Sequence, residues 1–134
     1  MKKNCPCGSG KSYADCCGLL HGGAPPSNAL DLMRSRYSAY ACKDADYIIR
    51  TTHPANLSYK QNFMDWSKEI LDFCHHTQFV KLDIIEFIDG ENAAYVTFIA
   101  HLRQNHQPVQ LFEKSRFLKV DDRWLYRDGV HTSA

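Results

Sequence analysis

Residues 5–17 read CPCGSGKSYADCC and hold four of the chain's six cysteines within thirteen positions. No other segment constrains the fold as much. A stretch this short, with so little apolar bulk, builds no core of its own and must close around something. A phosphate, a set of disulfides and a metal ion are the available closures. The phosphate reading rests on GSGKS and fails. A phosphate loop of the form G-x-x-x-x-G-K-[ST] needs glycine where Cys5 stands, and a strand leading into it, for which only four residues remain. Disulfides depend on the compartment. MKKN runs straight into the cysteines with no apolar leader, and no run approaches the length of a membrane span. A cytoplasmic location is therefore expected, and there clustered thiols serve as metal ligands or catalytic groups rather than disulfides.

The metal reading fits the spacing. Cys5 and Cys7 are one residue apart, Cys16 and Cys17 are adjacent, and eight residues separate the pairs. Zinc takes four thiolates in a tetrahedron, and two close pairs joined by a short loop supply them. Pro6 stiffens the first pair, and Gly8 and Gly10 allow sharp turns that aim amides at sulfur. Lys2, Lys3 and Lys11 offset the negative charge of a four-thiolate centre. Ser12 is placed to cap a helical turn over Tyr13–Cys17 that Gly18 closes. The bland alternative is an unliganded or redox-active cysteine patch. The run C-P-C-G-S-G-K-S-Y-A-D-C-C-G resembles the SEC-C motif, a zinc-binding module also found at the C-terminal tail of the bacterial preprotein-translocase motor ATPase. The resemblance implies a structural Zn2+ on Cys5, Cys7, Cys16 and Cys17. Some versions of the motif end in histidine, which makes His21 a bystander or an alternative ligand.

The remainder is read from its periodicity. Gly22-Gly23-Ala24-Pro25-Pro26 breaks the chain, so residues 1–21 are expected to form the zinc module, 22–27 a linker and 28–134 the main domain. Asn28 is the expected N-cap of a first helix, with Asp31 near its N-terminus and Leu30, Met33, Tyr37 and Tyr40 on its apolar stripe. Arg34, Ser35 and Arg36 fall on the flanks. A second helix is expected over about 44–51, ended by His53-Pro54. A third is expected over about 60–75, burying Phe63, Trp66, Ile70 and Phe73, with Cys74 beside them. After Thr77 the period falls to two. Four strands are expected, at about 79–88, 93–103, 109–120 and 123–130. Asp89–Asn92 and Asp121-Asp122 read as tight turns and Asn105–Pro108 as a longer one. Helices followed by hairpin-linked strands make an α+β fold.

Three helices on a curved four-stranded antiparallel sheet resemble the cone-shaped, cystatin-like fold of nuclear transport factor 2-like domains. The segments LMRSRYSAY, ADYIIRTTHP, EKSRF and WLYRDG resemble the bacterial YchJ family, which joins a SEC-C module to such a domain. Many members carry a second cysteine module at the C-terminus. None is visible before HTSA, so it is expected to be absent or removed. Members of this fold class often dimerise through the outer face of the sheet, which leaves a homodimer open.

Side chains alternate along a strand, so Glu113, Ser115 and Phe117 share one face, and Trp124, Tyr126 and Asp128 share one. The aromatics mark it as the face beneath the helices. Two carboxylates then point inward and need partners, for which Arg34, Arg36, Tyr37 and His53 are candidates. Trp66 completes the expected cavity wall. Glu113 or Asp128 could serve as acid and base, with an arginine as anion clamp. The alternative is an ion-pair network that locks helix to sheet. Arg116 faces away and reads as solvated. His75-His76 balance a helix dipole, His101 and His106 read as surface, and Cys42 and Cys74 as buried.

The formal charge of +1 gives no global field for nucleic acid or membrane. The first 23 residues carry three lysines against one aspartate, a weak basis for binding nucleic acid. The leading reading is a zinc-binding adaptor whose module docks a protein or ribosome-associated partner, as the translocase resemblance implies. Its main domain would offer a cavity. The alternative is an enzyme that uses the cavity carboxylates on a small molecule. The residues leave that choice open, leaning against catalysis.

Overall fold

The computed structural model describes residues 3–131; Met1, Lys2 and the last three residues lie outside them. A 3-10 turn (Tyr13–Asp15) and helix α1 (Cys17–His21) follow the first cysteine pair. Helices α2 (Ala29–Ala41), α3 (Ala45–Arg50) and α4 (Phe63–His75) come next, then strands β1 (Gln78–Ile88), β2 (Ala93–Gln104), β3 (Gln107–Val120) and β4 (Arg123–His131). The strands form one antiparallel meander in the order β1-β2-β3-β4. The expected α+β architecture is present.

Local chemistry sets the element ends. Asn28, Asp44 and Asn62 each accept a hydrogen bond from the backbone amide three residues on, capping α2, α3 and α4. The Asn62 cap places the start of α4 at Phe63, later than the expected Lys60. Asn28→Ala should lower the unfolding free energy by about 1 kcal/mol. Urea denaturation of the metal-loaded protein would show it as a shifted midpoint at constant slope.

Helix α2 departs most from expectation. Its buried residues include Leu32, Met33, Ser35, Arg36, Tyr37, Ser38 and Ala39, more than one stripe can hold. Ser35 and Arg36 are buried rather than flanking, while Leu30 and Tyr40 are only partly covered. The cause is a second packing partner. One face of α2 meets the sheet and the opposite face meets the cysteine module. In α4, Trp66, Ile70 and Cys74 point inward, whereas Phe63 and Phe73 sit at its edges, 49% and 39% exposed.

Strand β2 shows the alternation clearly: Ala94, Val96, Phe98, Ala100 and Leu102 are buried, and the residues between them are half-covered. Register shifts interrupt β1 twice and the β3–β4 pair once. Bulges of this kind bend a sheet, and the bend gives the inner face its concavity. The connection after β2 is tighter than expected. Asn105 and His106 form a two-residue turn with φ of 51° and 63°, and Pro108 is already in β3, opposite Arg103. Asp121 and Asp122 adopt the same left-handed pair of angles between β3 and β4.

Candidate functional site

The cysteine module is a small knuckle. A bridge between Asn4 and Ser12, with the Cys5 amide donating to the Lys11 carbonyl at 2.9 Å, closes the first pair into a loop. Gly8 and Gly10 turn that loop at φ of 80° and 85°, angles that disfavour any side chain. Cys17 opens α1 and Cys16 precedes it, so the helix start presents the second pair. The four sulfur atoms all lie within 4.8 Å of one another. Cys7 and Cys16 are 3.7 Å apart, and Cys16 and Cys17 are 4.0 Å apart. A tetrahedral four-thiolate zinc has sulfur–sulfur edges of about 3.8 Å. The arrangement therefore fits an ion of that kind. Four protein ligands leave no position for substrate or water.

The surroundings support the same use. Cys5, Cys7 and Cys17 are buried and Cys16 is half-buried. The Ser9 hydroxyl lies 3.1 Å from Cys16 Sγ and the Ser38 hydroxyl 3.4 Å from Cys5 Sγ. Hydrogen bonding from Cys17 holds the Cys7 thiol down at about 4, while donating to Cys7 pushes Cys17 far up and burial raises Cys16. The crowded sulfurs thus favour one anion among them, and only a cation relieves that limit.

Two local expectations are corrected. Gly18 does not end the turn; it lies inside α1, where a Cβ would stand 2.6 Å from the Tyr13 carbonyl. The Ser12 side chain caps no amide and donates instead to the Asp15 carboxylate at 3.0 Å. His21 is a strut rather than a ligand. Its Nε2 donates to the Ser35 carbonyl of α2 at 2.8 Å, and its Nδ1 accepts from the Tyr13 hydroxyl at 2.6 Å. Arg34 donates to the Cys7 carbonyl at 2.9 Å, and Arg50 to the His21 carbonyl at 2.8 Å. These bonds fasten the knuckle to the main domain.

A cavity of about 370 Å³ lies between α2, α4 and the inner face of the sheet. Of the ten expected wall residues, Arg36, Tyr37, Trp66, Glu113, Ser115 and Tyr126 are there. Glu113 is 7% exposed, and its Oε2 accepts from the Ser115 hydroxyl and, at 2.9 Å, from the Tyr126 hydroxyl. Its Oε1 is 3.3 Å from His131 Nε2. Gly129, opposite Ser115 on β4, leaves the space that this carboxylate fills. Arg36 is 8% exposed. Its Nη1 donates to the Ile48 carbonyl and to the Thr51 and Thr52 hydroxyls at 2.8–3.2 Å, and its guanidinium lies 4.6 Å from the centre of the Tyr126 ring. The Tyr37 hydroxyl is the one side-chain polar atom wholly closed to solvent that lacks a partner among the described residues. Burial pushes the Tyr37 phenol up to about 12, and burial with the Glu113 carboxylate beside it pushes that of Tyr126 well up.

The other four expected wall residues stand elsewhere. Arg34 is held by the knuckle. His53 turns its Nδ1 to the Ala55 amide, 3.0 Å away, and fixes a surface turn. Trp124 is buried, but it lines a smaller cleft under Ala24, Pro25 and Pro26, with Lys119 over its ring. Asp128 is on the outer face. Register runs Arg116↔Asp128 and then Phe117↔Tyr126, so Arg127 is an extra residue that reverses the alternation. Arg116 is therefore not merely solvated; it binds Asp128 through two bonds of 2.9 and 2.7 Å. Neither expected carboxylate is capped by Arg34 or Arg36. Phe98, Ala100 and Leu102 also line the cavity, and the alternation of β2 carried that signal. Cys42 is exposed, against expectation, and Cys74 is buried. His76 bonds the Asp72 carbonyl at the end of α4, and His101 pairs with Asp83 at 2.8 Å.

The family description "YchJ, middle NTF2-like domain" matches residues 28–129. The chain belongs to the YchJ family. A SEC-C motif matches residues 1–19 and so includes all four cysteines of the knuckle. A UPF0225 protein of Photorhabdus laumondii is 44% identical over 135 residues, covering 97% of this chain and 82% of that relative. A UPF0225 protein of Sodalis glossinidius is 39% identical over 136 residues, covering 98% and 85%. The solution structure of a SEC-C motif containing protein from Rhodopseudomonas palustris superposes with a TM-score of 0.82 at 34% identity, over 98% of this chain and all of that one. Within the YchJ-family chain, no helix among the described residues is long and apolar enough to cross a membrane.

Proposed function

We propose that this YchJ-family protein binds a small molecule in the cavity of its main domain, and that its knuckle holds a structural zinc ion that braces the helix over that cavity. The cavity carries this reading. It is lined largely by aromatic side chains, is at the small end of the range for ligand pockets, and has a few polar groups converging on its wall. The four-sulfur set suits zinc, since soft thiolates in a tetrahedron are its preferred donors. The knuckle's outer loop, Gly8 to Lys11, is exposed and supports a second role as the docking point for a protein partner. Acid–base catalysis has lost one of its two expected carboxylates, because Asp128 faces away from the cavity. The test is mass spectrometry of compounds released when natively purified protein is denatured. One compound near stoichiometry is expected from the wild type and none from Leu111→Trp, which fills the cavity. The same recovery from both proteins would overturn the reading.

A further inference from the structure

Helix α2 carries Arg36 into the cavity with only part of its guanidinium engaged. Nη1 makes all three of its hydrogen bonds, each to a neutral oxygen. Among the described residues, Nε and Nη2 form no hydrogen bond and no carboxylate pairs with this arginine, although the residue is 8% exposed. Tyr40, one turn further along α2, also lines the cavity, and its hydroxyl has no hydrogen bond among the described residues. Burial raises the Tyr40 phenol, Arg36 pulls it back and Glu113 adds to the rise, which places these groups within electrostatic reach of one another. Glu113 is already satisfied by Ser115, Tyr126 and His131. The guanidinium is thus the cavity's unmatched charge, and buried charges need partners. A guanidinium edge made of Nε and Nη2 matches a carboxylate through two parallel bonds.

We propose that the cavity binds a small aromatic monocarboxylate, its acid group against the open edge of Arg36 and the Tyr40 hydroxyl, its ring among Trp66, Phe79, Phe98 and Phe117. The aromatic walls favour a planar ring by edge and face contacts. The volume limits the ligand to one or two rings. This assignment rests on the small-molecule reading above and adds the chemical class.

The experiment is calorimetric titration of the metal-loaded protein with 2-naphthoate and with its methyl ester, which keeps the ring and loses the charge. The acid is expected to bind at least tenfold more tightly than the ester. Tyr40→Phe should weaken the acid about fivefold and leave the ester unchanged. Arg36→Lys keeps the positive charge but loses the planar fork, and should weaken the acid at least tenfold. Thermal unfolding of each variant checks that the fold is intact. Equal or tighter binding of the ester would overturn the carboxylate assignment while leaving a small-molecule cavity in place. Binding of neither probe at millimolar concentration would also overturn it, and the released-compound measurement then decides the cavity reading separately.

Discussion

Removal of the metal by a chelator is expected to lower the thermal unfolding midpoint by roughly 10 °C or more. Metal binding in small thiolate modules amounts to about 10–16 kcal/mol, most of it offset by ordering the segment that binds. The remainder reaches the main domain through α2. Without the ion, the knuckle is held by the small cluster of Cys5, Cys7 and Cys17, the Asn4–Ser12 bridge and a few bonds to the main domain, too little apolar area to keep it closed. Its release would strip Arg34 of the Cys7 carbonyl, Ser35 of His21, and Ser38 of Cys5. It would also expose a helix whose buried face includes Ser35 and Ser38, both at 0% exposure. Because Arg36 and Tyr40 project from the same helix into the cavity, ligand affinity should fall with the midpoint. Cys7→Ser should reproduce both losses without chelator. Elemental analysis should find one zinc per chain in the untreated protein. Amide spectra should show residues 3–21 collapsing while β2 and β3 persist. An unchanged midpoint after verified loss of the metal would refute the brace, and freshly reduced protein that contains no metal would refute the centre itself.

The residues made some of this legible and hid the rest for identifiable reasons. Two close cysteine pairs at the ends of a thirteen-residue segment have little room to separate, so the clustering of the four sulfurs was legible in the spacing. Period-two alternation placed all four strands within two residues of their ends, because a sheet with one buried face enforces it. Alternation also misled. A bulge at Arg127 inserts one residue, with Gly129 two positions on as its only hint in the sequence, and everything beyond changes face. Asp128 therefore left the cavity and found Arg116. Arg34 and Arg36 look equivalent in sequence, two positions apart on one helix. Only the docked knuckle separates them, one bound to the Cys7 carbonyl and one over the Tyr126 ring. That docking is long-range, and helical periodicity does not encode it. It is also the reason that α2 is buried on nearly all sides although its polar residues suggest an exposed flank.

Gly129→Ala should destabilise the protein by about 2–4 kcal/mol. Gly129 has no left-handed backbone angle, so the effect is steric rather than conformational. A methyl group there would collide with the Glu113 carboxylate across the β3–β4 pair. The carboxylate cannot simply swing aside, since the Ser115 and Tyr126 hydroxyls both donate to it and Glu113 is buried. Either the strands separate near the bulge, or Glu113 leaves and the buried Ser115 and half-buried Tyr126 hydroxyls lose their acceptor. Glu113→Ala alone should cost about 1–3 kcal/mol by orphaning the same hydroxyls. It also vacates the volume the new methyl needs. Glu113→Ala/Gly129→Ala should therefore cost little more than Glu113→Ala, with the two single effects overshooting the double variant by at least about 1 kcal/mol. Urea denaturation of all four proteins at matched slopes measures this coupling. Additive single effects, within about 0.5 kcal/mol, would show that Gly129 and Glu113 do not share this space. The carboxylate would then lie elsewhere than on the cavity wall, and the satisfied Glu113 that leaves Arg36 as the unmatched charge would be lost with it.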